Sequence, residues 1–246
     1  MIHFFGKKRF LADHLENFVD IHNHILPGLD DGAQTLDDSL KLLKGFQDLG
    51  IRNFVATPHI MQNYYPNTAQ TIGDSLKMLQ NELLKNDWKD VYIEAAAEHM
   101  IDANFESLVA KKEVMPLRMN YLLVEMSYLQ PPLYFEEAID KTKTHGLFPI
   151  LAHPERYGFL HHQIKKYAKY KEKGMLFQMN LLSLGNYYGN AVPKVANKLL
   201  EEGFIDFVAS DVHNVHQLQS LKNLTVSKKT LELVLPVIDR TIGHFY

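Results

Sequence analysis

The sequence predicts an α/β fold in which seven parallel strands close, or nearly close, into one barrel. Three observations lead there. Apolar, β-branched runs alternate with amphipathic helical stretches along nearly the whole chain. The runs begin about 27 to 40 residues apart, the size of a strand–helix unit. No linker rich in Gly, Pro or Ser divides the 246 residues, so a single domain is expected.

Residues 1–17 read as an N-terminal extension with a few apolar side chains and a basic patch, lacking the apolar core and cleavage site of a secretory signal. The barrel is expected over 18–246. Its first strand is Phe18–His22. A helix follows over Thr35–Leu49, capped by Thr35, with Asp37 and Asp38 in its first turn and Gly50 as its stop. Ile51–Thr57 is the second strand, Ala69–Lys85 the next helix, and Val91–Ala97 and Tyr121–Met126 the third and fourth strands. The strands Leu147–Ala152, Met175–Leu181 and Phe204–Ser210 alternate with helices Leu133–His145, His161–Lys173 and Ala191–Glu202, which Gly146, Gly174 and Gly203 close. Residues 214–246 read as a terminal helical segment.

Composition removes several function classes. With 46% apolar and 22% charged residues the chain is not disordered, and a net charge of −3 gives no broad surface for nucleic acid. No apolar run approaches the roughly 18 residues of a membrane span. Cys is absent, which excludes disulfides, thiolate zinc sites and a Cys nucleophile, and suits a cytoplasmic protein.

In such barrels chemistry sits at the C-terminal ends of the strands. The 13 histidines matter by their placement. Strand one ends in Asp20-Ile21-His22-Asn23-His24, strand two in Thr57-Pro58-His59, and strand three in Glu98-His99. Strand four carries Glu125, strand five ends in His153-Pro154-Glu155-Arg156, and strand seven in Asp211-Val212-His213. Imidazole and carboxylate without thiolate suit hard or borderline divalent ions. The i, i+2 spacing of His22 and His24 puts both rings on one side of an extended strand. Each residue alone has an ordinary explanation, such as a paired core carboxylate or a helix cap. Together they would need independent explanations at the same end of six strands. His99 points to the other side of its strand and is set apart. Tyr64-Tyr65 and Tyr187-Tyr188 fall in loops where they could line the mouth.

Together these residues resemble the polymerase-and-histidinol-phosphatase (PHP) superfamily. Within it, DIHNHILPGLDDGAQTLDDS, ATPHIMQNYYPN, AHPERY and ASDVHN resemble the manganese-dependent bacterial protein-tyrosine phosphatases encoded with capsule and exopolysaccharide systems. The resemblance implies a distorted TIM-like (β/α)7 barrel holding three divalent ions, Mn expected and Fe or Zn as alternatives. It implies His22, His24, Glu98 and Asp211 around the first ion, Glu98, Glu125 and His153 around the second, and Asp31, His59 and His213 around the third. Arg156 matches the phosphate-binding Arg, and Asp31, His59 and His213 would also serve catalysis. Relatives often carry a second phosphate-binding Arg after the closing DxH; here the stretch is Asn214–Gln219, so either His216 substitutes, or Lys222 reaches in, or phosphate affinity is lower.

The implied activity is hydrolysis of phosphotyrosine by a metal-activated hydroxide, on the tail of a bacterial tyrosine kinase that regulates polysaccharide synthesis. The alternatives are a small-molecule phosphatase of the histidinol-phosphate kind, a metal-loaded phosphopeptide-binding module, an amidohydrolase and, more remotely, a nuclease. Whether the chain forms a homo-oligomer is left open.

Overall fold

The computed structural model describes residues 9–246. The first eight residues of the expected extension lie outside that range. In chain order the elements are β1 (Arg9–Phe10), β2 (Val19–Asp20), α1 (Leu36–Gln47), β3 (Asn53–Ala56), β4 (His59–Ile60), α2 (Ala69–Lys85), β5 (Tyr92–Ala95), β6 (Glu98–Met100) and α3 (Phe105–Lys111). They continue with β7 (Tyr121–Glu125), α4 (Phe135–Thr144), β8 (Phe148–Ala152), α5 (Ile164–Glu172), β9 (Leu176–Asn180), α6 (Val192–Glu201), β10 (Phe207–Ala209), α7 (Val215–Lys222), β11 (Thr225–Val226) and α8 (Lys228–Phe245).

Local chemistry explains where the helices begin. The Thr35 hydroxyl accepts from the Asp38 backbone N–H and the Asp38 carboxylate accepts from the Thr35 N–H, a reciprocal capping pair that starts α1. Thr68 and Thr71 do the same for α2, whose bounds match the expectation. Such a cap is worth about 1 kcal/mol. Leu42, Leu43 and Phe46 form the buried stripe of α1.

The result is a mixed α/β domain built on parallel sheets. One sheet runs β2-β3-β5, the other β10-β9-β8-β7-β6-β4, and every pair within them is parallel. The second and third expected strands correspond to β3 and β5, and beyond the expected end of each the chain adds a further short strand, β4 and β6, in the other sheet. After β3 the ladder is interrupted at Pro58, which has no N–H to give, and His59 opens β4. After β5 it is interrupted at Ala97, whose N–H leaves the ladder for Met115 O at 3.1 Å. Ala96 N→Ala56 O at 2.8 Å and Glu98 N→Pro58 O at 3.1 Å carry the pairing across the bend. At the opposite edges Asn23 bridges Val212, flanked by Asp211 N→His22 O at 2.8 Å and His24 N→Val212 O at 3.0 Å.

Two apolar clusters follow from the alternation along the strands. Val19, Ile21, Val55, Leu123, Ile150, Ala152, Phe207 and Ala209 meet between the sheets, with Phe245 of α8 among them. The larger cluster lies on the other strand faces, against the helices.

Three expectations are revised. Residues 9–17, read as an extension, are packed: Leu11 and Leu15 are fully buried in the larger core and β1 pairs antiparallel with β11. The terminal helical segment is two helices divided by β11, and α3 was not foreseen. A two-residue strand carries no periodicity; only its long-range partner defines it.

Candidate metal centre

Strand β2 stops at Asp20, so His22 and His24 stand beyond it, on either side of the bridging residue Asn23. They still converge, with ring centroids 5.5 Å apart. Each ring is turned by a partner on Nδ1. His22 Nδ1 meets Gln178 Oε1 at 2.7 Å, and His24 Nδ1 meets Asp30 Oδ2 at 2.7 Å. In both, Nε2 is left facing the cluster. Such outer partners fix the tautomer and aim of metal-binding histidines.

The turn after His24 is tightly built. Asp30 Oδ1 accepts from Gly32 N at 2.9 Å, and Asp30 Oδ2 also accepts from His59 N at 3.0 Å. A Cβ on Gly32 would lie 2.2 Å from His24 O and 2.4 Å from His24 Cβ, so only glycine fits there.

The structure brings together all nine residues expected as ligands. Their ligand atoms fall into four overlapping groups: His24, Asp31, His59 and His213; His22, His24 and Asp211; His22, Glu98 and His153; and His59, Glu98 and Glu125. Glu98 sits centrally, its Oε2 3.1 Å from both His22 Nε2 and His59 Nδ1. His153 and Asp211 hold left-handed backbone conformations, φ 37° and 52°, rare for non-glycine residues and typical of strained functional positions.

Five of these atoms are buried and make no well-directed hydrogen bond, although they crowd one another at distances such as 2.9 Å between His59 Nδ1 and Glu125 Oε1: His22 Nε2, His24 Nε2, His59 Nδ1, Glu98 Oε2 and Glu125 Oε1. Orphaned buried polar atoms are costly and rare. Five converging from four strand ends fit a set of divalent cations, and the nitrogen and oxygen donors are of the right kind.

The electrostatics agree. Burial opposes charge on Glu98, but His22, His59 and His153 outweigh it and hold the carboxyl well below its usual range. Burial likewise opposes charge on Asp211, which His22, His24, His213 and Arg156 hold well below the carboxylate range. Burial acts against a protonated His59, yet Glu125 and Glu98 prevail and push it up to about 9. Burial and the neighbouring His24 push His213 down to about 4.

Beside the cluster, Arg156 Nη1 donates to Asp211 Oδ2 at 2.8 Å. Its guanidinium carbon lies 4.1 Å from the Tyr188 ring centroid and 4.8 Å from that of Tyr128. This clamp fixes the plane of the group. Arg156 and most of the cluster open onto a cleft of about 1010 Å³.

His216 is not brought to the site. It is exposed, pairs with the Tyr187 ring at 5.9 Å, and does not line the cleft; Asn214 and Gln217 do. One residue along α7 points elsewhere, which loop reading could not show. Lys222 does not reach in either, because it pairs with Asp48 at 2.8 Å. His99 is held away from the cluster, as expected, bonding Leu123 O and Met115 N.

Several supporting residues escaped the sequence reading. Asn180 Nδ2 donates to Asp211 Oδ2 at 2.5 Å, and Gln178 links Asn180 to His22. Buried Glu155 accepts from Asn180 N and Ser183 Oγ, tying the Arg156 loop to the end of β9. Polar Gln178 and Asn180 at alternate positions of an otherwise apolar strand were the available signal.

Residues 18–228 match the family described as capsular polysaccharide synthesis, CpsB/CapC. The chain belongs to the CpsB/CapC family. Among its relatives, the tyrosine-protein phosphatase YwqE of Bacillus subtilis is 32% identical over 198 residues, covering 80% of this chain and 78% of YwqE. The putative tyrosine-protein phosphatase CapC of Staphylococcus aureus is 30% identical, covering 80% and 77%. A solved structure from work on YwqE and on CpsB of Streptococcus pneumoniae, described as metal-dependent tyrosine phosphatases, superposes with a TM-score of 0.78 at 28% identity over 93% of this chain and 95% of that one. In this CpsB/CapC chain the cluster and Arg156 both lie within the matched residues.

Proposed function

We propose that this CpsB/CapC protein is a metal-dependent protein-tyrosine phosphatase of the PHP type. The observation that carries the reading is the set of five orphaned, buried ligand atoms beside a clamped arginine on the floor of one cleft. The Asn23–Val212 bridge at one edge, and the chain passing directly from β3 to β4 and from β5 to β6 at the other, support a distorted TIM-like (β/α)7 barrel, with residues 9–17 packed against it.

His22, His24, Glu98 and Asp211 would hold one divalent ion, Glu98, Glu125 and His153 a second, and Asp31, His59 and His213 a third. Mn²⁺ is the metal the family resemblance implies; the nitrogen and oxygen donors without thiolate suit it, and suit Fe or Zn as well. Such ions, when bound, lower the pKa of water enough for a hydroxide nucleophile at neutral pH and screen phosphoryl charge. The protein's own part is positioning. Arg156 spends one N–H on Asp211, and its remaining donors address the phosphoryl oxygens from the fixed plane between Tyr128 and Tyr188. Gln178 and Asp30 keep the Nδ1 protons of His22 and His24, so Nε2 remains a lone-pair donor. A tyrosine phenolate, with a pKa of about 10, leaves without a strong general acid. The aromatic ring lies low in the cleft beside Tyr65, which stacks on His59 with centroids 5.4 Å apart, below the two rim loops.

The proposed substrate is a phosphotyrosine protein, a bacterial tyrosine kinase tail acting in capsule or exopolysaccharide synthesis, met in the cytoplasm. No helix of the described residues is long and apolar enough to cross a membrane. The test compares kcat/KM for a phosphotyrosine peptide and for histidinol phosphate with Mn²⁺ present. The peptide is expected to be preferred at least tenfold; preference for histidinol phosphate would overturn the assignment of substrate.

A further inference from the structure

Above the metal centre the cleft walls change character. One wall is the loop after β4, with Met61 and Tyr64; the other is the loop Ser127–Leu133 after β7. Leu129 is 89% exposed, Leu133 is fully exposed and Tyr64 is 76% exposed. A single exposed apolar residue is ordinary, but several together on the rim of a cleft mark an interaction surface. Pro131 and Pro132 stiffen the backbone between the two leucines, so presenting them to a partner costs little ordering entropy.

Charge narrows the partner. Among the described residues lining the cleft Arg156 is the only Lys or Arg, whereas Asp31 and Asp102 also face it. That basic side chain sits on the floor, clamped where a phosphoryl group would be met. The walls offer no counter-charge to acidic side chains, nor the basic residues that draw an apolar loop onto an anionic membrane. The apolar wall and that floor line one cleft, so a chain whose phosphotyrosine reaches Arg156 brings its neighbouring residues within reach of Leu129, Leu133 and Tyr64.

We propose that the Ser127–Leu133 loop, with Tyr64 opposite, is a docking surface for the residues flanking the phosphotyrosine, and that it selects apolar or aromatic flanks over acidic ones. This rests on the phosphatase reading and adds its peptide specificity.

The test uses peptides carrying phosphonomethylphenylalanine, a phosphotyrosine mimic that is not hydrolysed, with Leu/Phe or Asp/Glu flanks. Fluorescence anisotropy measures their binding to the Mn²⁺-loaded full chain and to its Leu129→Ser/Leu133→Ser variant. Both leucines are exposed, so the variant is expected to melt like wild type. Wild type is expected to bind the apolar-flanked peptide about tenfold more tightly, the effect of partly burying two leucines. The variant is expected to lose that preference while hydrolysing free phosphotyrosine at the wild-type rate. Equal binding of the two peptides by wild type, or a preference that survives in the variant, overturns the proposal. Leucine-dependent sedimentation with phosphatidylserine vesicles in place of a peptide preference also overturns it, and assigns the loop to a membrane. A Mn²⁺-loaded wild type that leaves free phosphotyrosine intact sinks the phosphatase reading itself, an outcome separate from the peptide comparison.

Discussion

Asp30 touches no substrate in this account, yet replacing it with Asn should weaken metal binding. Its Oδ2 accepts from the His24 ring and from His59 N, and its Oδ1 accepts from Gly32 N. An asparagine of the same shape has one acceptor oxygen. If that oxygen serves His24 and His59, the amide NH₂ faces the Gly32 N–H, donor against donor. If it serves Gly32, the NH₂ faces the His59 N–H, and His24 loses the acceptor that keeps its proton on Nδ1. The carboxylate is also ionised at neutral pH: burial opposes the charge, but His24 and then His59 outweigh it and lower its pKa. The substitution therefore removes a charge as well as a bond. Loss of an outer-shell partner of this kind costs about 10- to 100-fold in metal affinity, or about 1.4 to 2.8 kcal/mol. Competition with a fluorescent chelator for Mn²⁺ measures the affinity, and kcat is read again at saturating metal. Recovery of most of kcat at high Mn²⁺ is expected, because no group facing the substrate has changed. An Asp30→Asn protein with wild-type metal affinity would refute the orienting role.

Four further outcomes follow from the same geometry. Gly32→Ala forces a Cβ into the His24 backbone and should cost about 1–3 kcal/mol of stability with loss of metal, read by thermal melting and metal content. In the metal-free protein His59 titrates at about 9, and His22 and His24 are likewise raised, so ions must displace protons at neutral pH. Mn²⁺ affinity should therefore climb from pH 6 towards 9, with calorimetry in buffers of different ionisation enthalpy showing proton release at pH 7. The sign is opposite for metal-free stability: the His59 contribution is full below about 6.5 and is lost as pH rises through 9. Tyr188→Leu removes one face of the arginine clamp, worth about 0.5–2 kcal/mol, and should raise KM for a phosphotyrosine peptide with less effect on kcat.

Much of this arrangement was legible where chemistry is local. Capping residues placed α1 and α2 within a residue or two, and the ligand residues stood out because six strands end in imidazole or carboxylate. What failed was what only distant partners decide. Arg9–Phe10 is a strand because Thr225–Val226 lies beside it. Pro58 signals an interruption, but not that the chain passes there from one sheet to the other. His216 seemed suited to phosphate by position in the sequence, whereas the helical turn of α7 directs Gln217, not His216, to the cleft. Asp30 and Asp31 are indistinguishable as neighbours in a turn; the fold makes one an orienting acceptor and puts the other in a ligand group.

The most direct measurement strips the protein of metal, titrates Mn²⁺ back, and follows phosphate release from a phosphotyrosine peptide beside Asp211→Ala and His213→Ala, with bound metal counted at each step. The account predicts no release without metal, recovery in step with occupancy, and loss in both variants. Release that persists without metal, or a folded, fully loaded wild type that releases nothing, would contradict it.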